Sequence, residues 1–494
     1  MVRPFNEFTY SLTKAAELLG AERENFLELN FTGLTHIDSE VLPGDIFLAF
    51  PGANRHGAEF ISSAKSRGAV AVLTDQAGAA HSAGLPTLIV KDVRVAGALL
   101  ASSFYRAPIR DMQSIGITGT NGKTTVTTLL YQLFSAVGRE SGLIGTVETR
   151  IGAESIKSQR TTPEAADLQA LAATMRERHL RHLVMEVSSH SLELQRMAGS
   201  HFSIVGFTNL TQDHLDFHKD MESYFAAKSK LFTFEYADLG FINIDDPYGA
   251  RLFASASIPM ISLSRSSEKA TWHFVEINPT NSGAEFVIRG KDGVLIESRT
   301  RMRGGFNLDN LLLAVAIAYE CGVDPLEIAS LIPQLTGAPG RLEPVSLGQN
   351  FAALVDYAHS PDAVKNVLAA AREFTAGKLI GVLGCGGDRD SSKRPLMGQA
   401  LISGCDVAIM TSDNPRSESP ASILEQMKGT AELVKPSAVI EDRAAAIEYA
   451  VSLAEAGDTV IILGKGHESG QEVNGVVTSF DDRFELAKAI EAKR

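Results

Sequence analysis

The chain carries Gly119-Thr-Asn-Gly-Lys-Thr-Thr125 directly after the short apolar run at 114–118. Glycines let a backbone curl so that its N–H groups point inward around an anion, and a helix opening at the same place adds the positive end of its dipole. Lys123 can then reach terminal phosphates, and the hydroxyl of Thr124 can hold Mg²⁺. The generic phosphate-loop spacing places a glycine five residues before Gly122. That position is Ile117, and the nearby glycines are Gly116, Gly119 and Gly122, so this is a variant loop. A glycine-rich turn without a ligand seldom carries Lys-Thr at the mouth of a helix. Phosphate binding is the expectation.

Further polar clusters follow apolar runs of strand type. Glu186 ends the run at 182–186, where a carboxylate in a phosphate-loop domain faces Mg²⁺ directly or through water. A third run at 202–207 leads into a loop holding Asp213, His214, Asp216 and His218, and His214 is the second candidate Mg²⁺ ligand. The bland alternatives are an acid with a local partner and a histidine-rich surface loop. Three more loops follow apolar runs: Leu383-Gly-Cys-Gly-Gly-Asp-Arg-Asp390, Thr411-Ser-Asp-Asn-Pro-Arg416 and Leu463-Gly-Lys-Gly-His-Glu468. Arg389 and Arg416 can grip carboxylates with a planar fork and Glu468 can accept ammonium hydrogens, which suits a small zwitterion. Three unrelated capped strand ends are the plainer reading. A dinucleotide site is disfavoured, because no G-x-G-x-x-G opens a helix with an acid ~20 residues on.

Strands and helices must position these groups, and they fall into three α/β blocks. The first, 1–110, mixes strands at 45–50, 69–73 and 87–90 with helical runs at 57–67 and 93–105, ending at the polar joint 106–111. The second, 111–339, starts with the phosphate-loop strand, whose helix follows over 126–137, and closes at the turn-forming Gly337-Ala-Pro-Gly-Arg341. The third, 340–494, alternates strands at 351–356, 378–383, 407–411 and 460–463 with helices. Such alternation argues a parallel sheet covered on both faces, with ligands beyond the carboxyl ends of the strands.

Bulk properties agree with an ordinary globular protein of several domains. The chain has 494 residues, 44% hydrophobic and 21% charged. Its longest apolar run, at 311–319, is far short of the ~20 residues of a membrane span, and the N-terminus lacks a secretory core. Cys321, Cys385 and Cys405 show no metal-ligand spacing and cannot all pair, so a reducing cytoplasm is expected. The net charge of −13 argues against nucleic acid as a partner.

Taken together and in this order, the motifs resemble those of the Mur ligases of bacterial cell-wall synthesis, over essentially the whole chain. Gly119–Thr125 resembles the family's ATP loop. Met185-Glu-Val-Ser-Ser-His190, the run 209–218, Gly305-Phe-Asn-Leu-Asp-Asn310, Gly340-Arg-Leu-Glu343 and Asp356-Tyr-Ala-His359 match in sequence and spacing. The resemblance implies an ATP site made of Gly119, Thr120, Asn121, Gly122, Lys123, Thr124, Thr125, Asn310, Arg341 and Asp356. Ile37 and Ser39 with Ala53, Asn54 and Arg55 resemble the uridine-nucleotide site. Thr161, Thr162, Ser188 and Arg196 resemble contacts to the muramoyl-dipeptide, while a family polar position reads Leu194 here with Gln195 beside it. Asp413, Asn414, Pro415 and Arg416 resemble the motif of members that add meso-diaminopimelate, and Arg389, Gly464 and Glu468 complete that implied site. Lysine-adding members commonly alter the motif. Lys228, in Ala226-Ala-Lys228, resembles the lysine that reacts with CO₂ to give a carbamate able to help hold a second Mg²⁺.

The implied fold is α/β in three domains: an N-terminal uridine-nucleotide domain, a central phosphate-loop ATPase-like parallel sheet and a C-terminal Rossmann-like domain. The implied reaction is ATP-driven amide ligation through an acyl phosphate, with Lys123, Lys228, Glu186 and His214 as the catalytic set. Its ligands are small molecules (ATP with Mg²⁺, a muramoyl nucleotide and an amino acid), and a monomer whose domains close over them is expected. The alternatives are the same ligase using lysine or ornithine, a folylpolyglutamate synthetase sharing the ATP domain, and a non-catalytic nucleotide sensor.

Overall fold

The structure, a computed structural model, describes residues 2–52, 55–158, 160–280 and 283–494. Its centre is a sheet of eleven strands. The phosphate-loop strand Gln113–Thr118 lies between His182–Glu186 and Phe202–Phe207, parallel to both. Ser141–Ile144 lies outside His182–Glu186, and Ala237–Asn243, Met260–Ser264 and Trp272–Thr280 continue beyond Phe202–Phe207, all parallel. The four strands from Ser141–Ile144 to Phe202–Phe207 are buried almost throughout because both of their faces are covered. On one face Ile115, Ile117 and Val184 pack with the helices Lys123–Ala136 and Gly305–Glu320. On the other, Met185, Phe202, Val205 and Phe207 pack with Ala165–Glu177 and Met221–Ser229.

The parallel core expected from the sequence is present, but the sheet extends beyond it. One edge gains the hairpin Glu148–Ile151/Glu154–Lys157, and the other gains the antiparallel strands Gly283–Arg289 and Leu295–Thr300. One face of these edges is open to solvent, so their apolar residues alternate instead of running on, as in Gly283–Arg289, where Ala284, Phe286 and Ile288 are buried and Glu285 and Arg289 exposed.

Two smaller sheets flank the centre. The first runs in the order Glu22–Glu24, Thr87–Ile89, Ala71–Thr74, Asp45–Leu48, Gly33–Thr35, parallel except at its first pair. The last runs Glu343–Pro344, Ala352–Asp356, Thr459–Leu463, Leu379–Cys385, Val407–Ser412, Ala438–Val439. All of its pairs are parallel but the first, and apolar clusters cover both of its faces. The helical run at 57–67 is a 3₁₀ turn, Gly57–Phe60, followed by the helix Ile61–Ser66, and the phosphate-loop helix begins at Lys123, three residues before its apolar run.

Candidate active site

The loop Gly119–Gly122 leaves the central strand and enters the helix Lys123–Ala136 through Gly122, whose φ of +91° is left-handed. Only glycine fits at two positions. A Cβ on Gly119 would lie 1.9 Å from Thr208 Oγ1, and one on Gly122 would lie 2.3 Å from Asn310 Oδ1. Gly116, grouped with these in the sequence reading, has another task. It lies within the strand, where a Cβ would press on Val187 and Phe202 at 3.2–3.4 Å. Ile117, in the place of the generic glycine, is a fully buried strand residue.

The next strand end braces the loop. Thr120 N donates to Asn209 O at 2.9 Å, Asn121 N donates to Asn209 Oδ1 at 3.0 Å, and Thr208 Oγ1 donates to Asn121 O at 2.6 Å. Two lysines meet on its inner side. Lys123 Nζ donates to the carbonyls of Gly119 at 3.0 Å and Thr120 at 2.9 Å, and Lys228 Nζ donates to the same Gly119 carbonyl at 2.8 Å. Lys228 is fully buried, and its Nζ lies 4.8 Å from the centre of the Tyr224 ring. Burial and then the neighbouring Lys123 cation hold its pKa well below the ordinary lysine value. Burial also lowers Lys123, against the pull of Glu186; Arg341, reaching in from the last block, lowers it further.

Thr124 and Thr125 are buried in the first helical turn. Glu186 is fully buried at its strand end and accepts from Thr146 N at 2.8 Å and from Thr146 Oγ1 at 3.0 Å. His214 adopts a left-handed backbone, lies 3.4 Å from Asp213 Oδ2 and stands edge-on to the His190 ring at 4.8 Å. Burial lowers its pKa to about 4, so at neutral pH it offers a neutral ring nitrogen. Among the described residues no three His, Cys, Asp or Glu side chains converge as a ready cation cage. The hard oxygens of Thr124 and Glu186 nevertheless suit Mg²⁺, which takes one or two protein ligands and completes its shell with phosphate oxygens and water.

The other predicted ATP residues approach from two sides. Asn310 abuts Gly122 from the helix Gly305–Glu320 and lines, with Thr208, Asn209 and Asp309, a cavity of about 250 Å³. Arg341 lies over the Tyr357 ring at 5.0 Å. The buried Asp356 accepts from Leu342 N at 2.7 Å and Ala358 N at 2.8 Å, and burial raises its pKa.

A second cleft, of about 310 Å³, separates the first block from the centre. Ile37 and Glu40 line it from one side, Arg160, Glu164 and Asp167 from the other. Ser39 is exposed on the short turn between Ile37 and Glu40, and Arg55 is paired with Glu59 at 2.8 Å; Ala53 and Asn54 lie outside the described residues. Thr161 accepts from Thr146 Oγ1 at 3.0 Å, and Thr162 Oγ1 donates to Glu186 O at 2.9 Å and to Ser188 Oγ at 3.3 Å. Arg196 donates to Thr162 O at 3.1 Å and pairs with Glu164 at 2.8 Å. The predicted dipeptide contacts Thr161, Thr162 and Ser188 therefore reach Glu186 through a chain of hydroxyls. Sequence reasoning passed over Glu164, which also draws Arg94 of the first block and Arg160.

The third cluster lies at the carboxyl ends of the last sheet. Asn414 Nδ2 donates to Glu468 at 2.8 Å, and a Cβ on Gly464 would lie 2.6 Å from Asp413 Oδ2. Pro415 O packs against Gly387, where a Cβ would lie only 1.8 Å away. A Cβ on Gly386 would lie 3.0 Å from Arg416 Nη1 and 3.9 Å from Arg389 Cγ, so both arginines border one glycine. Three further residues complete the cluster. Lys465, fully buried, donates to Asn414 Oδ1 at 2.9 Å and lies 3.5 Å from Glu468. Gln471 and Glu472 come from the hairpin Gly470–Val473/Val476–Ser479 and bond Asp413 O and Asn414 Oδ1. Lys465 stands inside a motif already singled out; the hairpin carries no motif of its own.

Comparison with known proteins follows the same three-part division. The model of the Mur ligase family catalytic domain matches residues 31–105, that of the Mur ligase middle domain residues 117–318, and that of the Mur ligase glutamate ligase domain residues 340–466. The UDP-N-acetylmuramoyl-L-alanyl-D-glutamate–2,6-diaminopimelate ligase of Streptomyces coelicolor is 48% identical over 99% of this chain and 98% of its own. That of Streptomyces avermitilis is 49% identical over 97% of each. A solved structure of a ligase of the same name superposes with a TM-score of 0.67 at 33% identity, over 94% of this chain and 95% of that one.

Proposed function

The chain belongs to the Mur ligase family, and from that premise we propose that it is the ATP-dependent ligase that joins meso-diaminopimelate to the D-glutamate γ-carboxylate of UDP-N-acetylmuramoyl-L-alanyl-D-glutamate, a step in making peptidoglycan precursors. The observation that carries the choice of amino acid is the pair Arg389 and Arg416 bordering Gly386 near Glu468 and Asn414. Diaminopimelate exceeds lysine by one carboxylate, and a second guanidinium suits that extra charge.

Residues 1–110 grip the uridine nucleotide in this reading, 111–339 hold ATP and 340–494 deliver the amino acid. The nucleotide lies against Ile37, Ser39 and Arg55, with Ala53 and Asn54 assigned from sequence alone, and its dipeptide along Thr161, Thr162, Ser188 and Arg196. The γ-carboxylate oxygen attacks the γ-phosphorus, the bond to the bridging oxygen breaks, and ADP leaves an acyl phosphate behind. Backbone N–H groups at the start of the helix Lys123–Ala136 and the Lys123 ammonium, freed from the Gly119 and Thr120 carbonyls, stabilise charge on the transferring group, so catalysis is mainly positioning and electrostatics. The neutral amine of diaminopimelate then attacks the acyl carbon, and inorganic phosphate departs from the tetrahedral adduct. Asn310, Arg341 and Asp356 complete the ATP site; Asp413, Asn414, Pro415, Arg416, Arg389, Gly464 and Glu468 orient the amino acid.

Thr124, Glu186 and His214 would hold Mg²⁺, which neutralises phosphate charge. Lys228 enters as a carbamate. CO₂ adds only to a neutral amine, and burial beside Lys123 favours that form. The resulting anion beside the Lys123 cation removes the repulsion between the two lysines. With all three substrate sites assigned to one chain, this reading needs no second copy, and the enzyme is taken to work as a monomer in the cytoplasm, where ATP is made. Among the described residues no helix is long and apolar enough to cross a membrane.

The test is phosphate release from ATP with the muramoyl dipeptide nucleotide, comparing meso-diaminopimelate, L-lysine and no amino acid. Release that depends on diaminopimelate, with the mass of the tripeptide product, is expected. Equal release with lysine would overturn the role given to Arg416, and no release with either would overturn the activity.

A further inference from the structure

Arg416 has partners within the protein itself. Its Nη1 donates to Gly387 O at 2.7 Å, and its Nε lies 3.5 Å from the Glu472 carboxylate. Glu472 and Asn474 together fix the arginine's main chain. Arg416 N donates to Glu472 O at 3.0 Å, and Asn474 N donates to Arg416 O at 2.7 Å. These two bonds seat Arg416 in a left-handed backbone conformation, φ +53°, which a non-glycine residue adopts only when its surroundings hold it there. Glu472 N in turn donates to Asn414 Oδ1 at 3.0 Å, and the Gln471 side chain donates to Asp413 O at 2.7 Å, so the hairpin Gly470–Val473/Val476–Ser479 and its turn hold the amino-acid loop without using the Glu472 carboxylate. The Glu472 carboxylate takes no part in these bonds and faces Arg416 Nε instead.

We infer that the Glu472 carboxylate is a specificity-determining group that occupies Arg416 in place of the substrate's distal carboxylate and must yield to it. The inference rests on the proposed amino-acid site and names a residue outside it. Diaminopimelate brings a carboxylate that competes with Glu472 for the Arg416 Nε. Lysine brings none, and its ε-ammonium enters a site where Glu472 still neutralises Arg416. Glu472 thus weakens diaminopimelate and shelters lysine, narrowing the discrimination that Arg416 alone would impose. The pair is partly exposed, with side chains 25% and 39% accessible, so its effect is that of a screened ion pair and not of a buried one.

The neutral isostere Glu472→Gln tests this, because it keeps the main-chain bonds and removes only the charge. The KM for meso-diaminopimelate should fall roughly 2- to 5-fold, the scale of a partly exposed ion pair, and the kcat/KM for L-lysine should fall by a similar factor. Selectivity then widens on the order of tenfold. In an Arg416→Ala background the same substitution should leave the KM for diaminopimelate where it was, since the group it competes for is gone. A rise in the diaminopimelate KM would overturn the inference by making Glu472 a ligand of the distal ammonium, and so would an unchanged KM in the single variant. An equal fall in both backgrounds would overturn it too, by showing a general charge effect. Wild-type enzyme that turns over neither amino acid marks the different failure, that of the activity itself, and takes the inference with it.

Discussion

Lys228 shows how one residue's surroundings choose its chemistry. A fully buried ammonium with another lysine on the same carbonyl is costly, and its proton is the easiest thing to lose. The neutral amine that results is a nucleophile for CO₂. Assay mixtures stripped of CO₂ and bicarbonate should therefore lose most of their activity and regain it on adding bicarbonate, whereas Lys228→Ala should be inactive in both. Full activity without CO₂ would rule out the carbamate. His467 answers to pH instead. Burial first, then Arg341 and Arg483, lower its pKa to about 4 from the ordinary 6.5. Between those values the unfolded chain takes up a proton that the folded one refuses, so this contribution to stability is whole above about 6.5 and is lost as the pH falls toward 4. The thermal midpoint should drop across that window, and His467→Gln should flatten part of the drop; an identical slope in the variant would show that other groups carry it.

At the scale of elements, the buried Arg443 joins two of the strands that carry the loops of the proposed amino-acid site. Its guanidinium pairs with Asp482 at 2.7 Å and donates to the carbonyls of Ser412 and Leu463, the last residues of Val407–Ser412 and Thr459–Leu463. Asp413 and Gly464 follow immediately. Removing one partner of a buried pair strands the other charge, so Arg443→Ala should cost about 3–5 kcal/mol in chemical denaturation, while the paired replacement Arg443→Met with Asp482→Leu should recover most of it. A loss near zero in the single variant would mean that water reaches Asp482. This clamp also marks what a sequence can tell. The strand at 202–207 and the glycine loop were legible because apolar runs, glycine and a helix-opening Lys-Thr are local signals. Arg443 and Asp482 are thirty-nine residues apart and look like any surface charges in the sequence. The edge strands Gly283–Arg289 and Leu295–Thr300 stayed hidden because alternation over so few residues is weak beside a continuous run, and Glu472 because its partner comes from another loop.

The whole molecule is joined unevenly, and that decides which part moves. The first block and the centre share an apolar seam. Ala166, Ala170 and Ala173 of the helix Ala165–Glu177 pack in one cluster with Leu100, Phe104 and Tyr105, and Ala98 meets Ala165 and Ala198. Small residues bring these helices close, and Ser102 Oγ donating to Gly199 O at 2.8 Å locks the approach. The last block meets the centre through fewer and more polar contacts: Lys393 with Asp213 at 3.4 Å, Arg303 over the Phe374 ring at 4.5 Å, and Phe306 against an apolar cluster. Yet the proposed ATP site spans this weaker seam, because Arg341 acts on Lys123 from across it. Binding energy from ATP and the amino acid is then free to draw the last block inward and expel water from the acyl phosphate. Fluorophore pairs at the exposed positions Ser66, Glu285 and Lys428 report this directly. Adding a non-hydrolysable ATP analogue with both other substrates should shorten the Glu285–Lys428 distance and leave Ser66–Glu285 unchanged. Lys393→Ala should reduce the amplitude, because Asp213 loses its cross-block cation just before His214. A change confined to Ser66–Glu285 would instead place the hinge at the apolar seam, and no change at all would mean that the site is already closed before its substrates arrive.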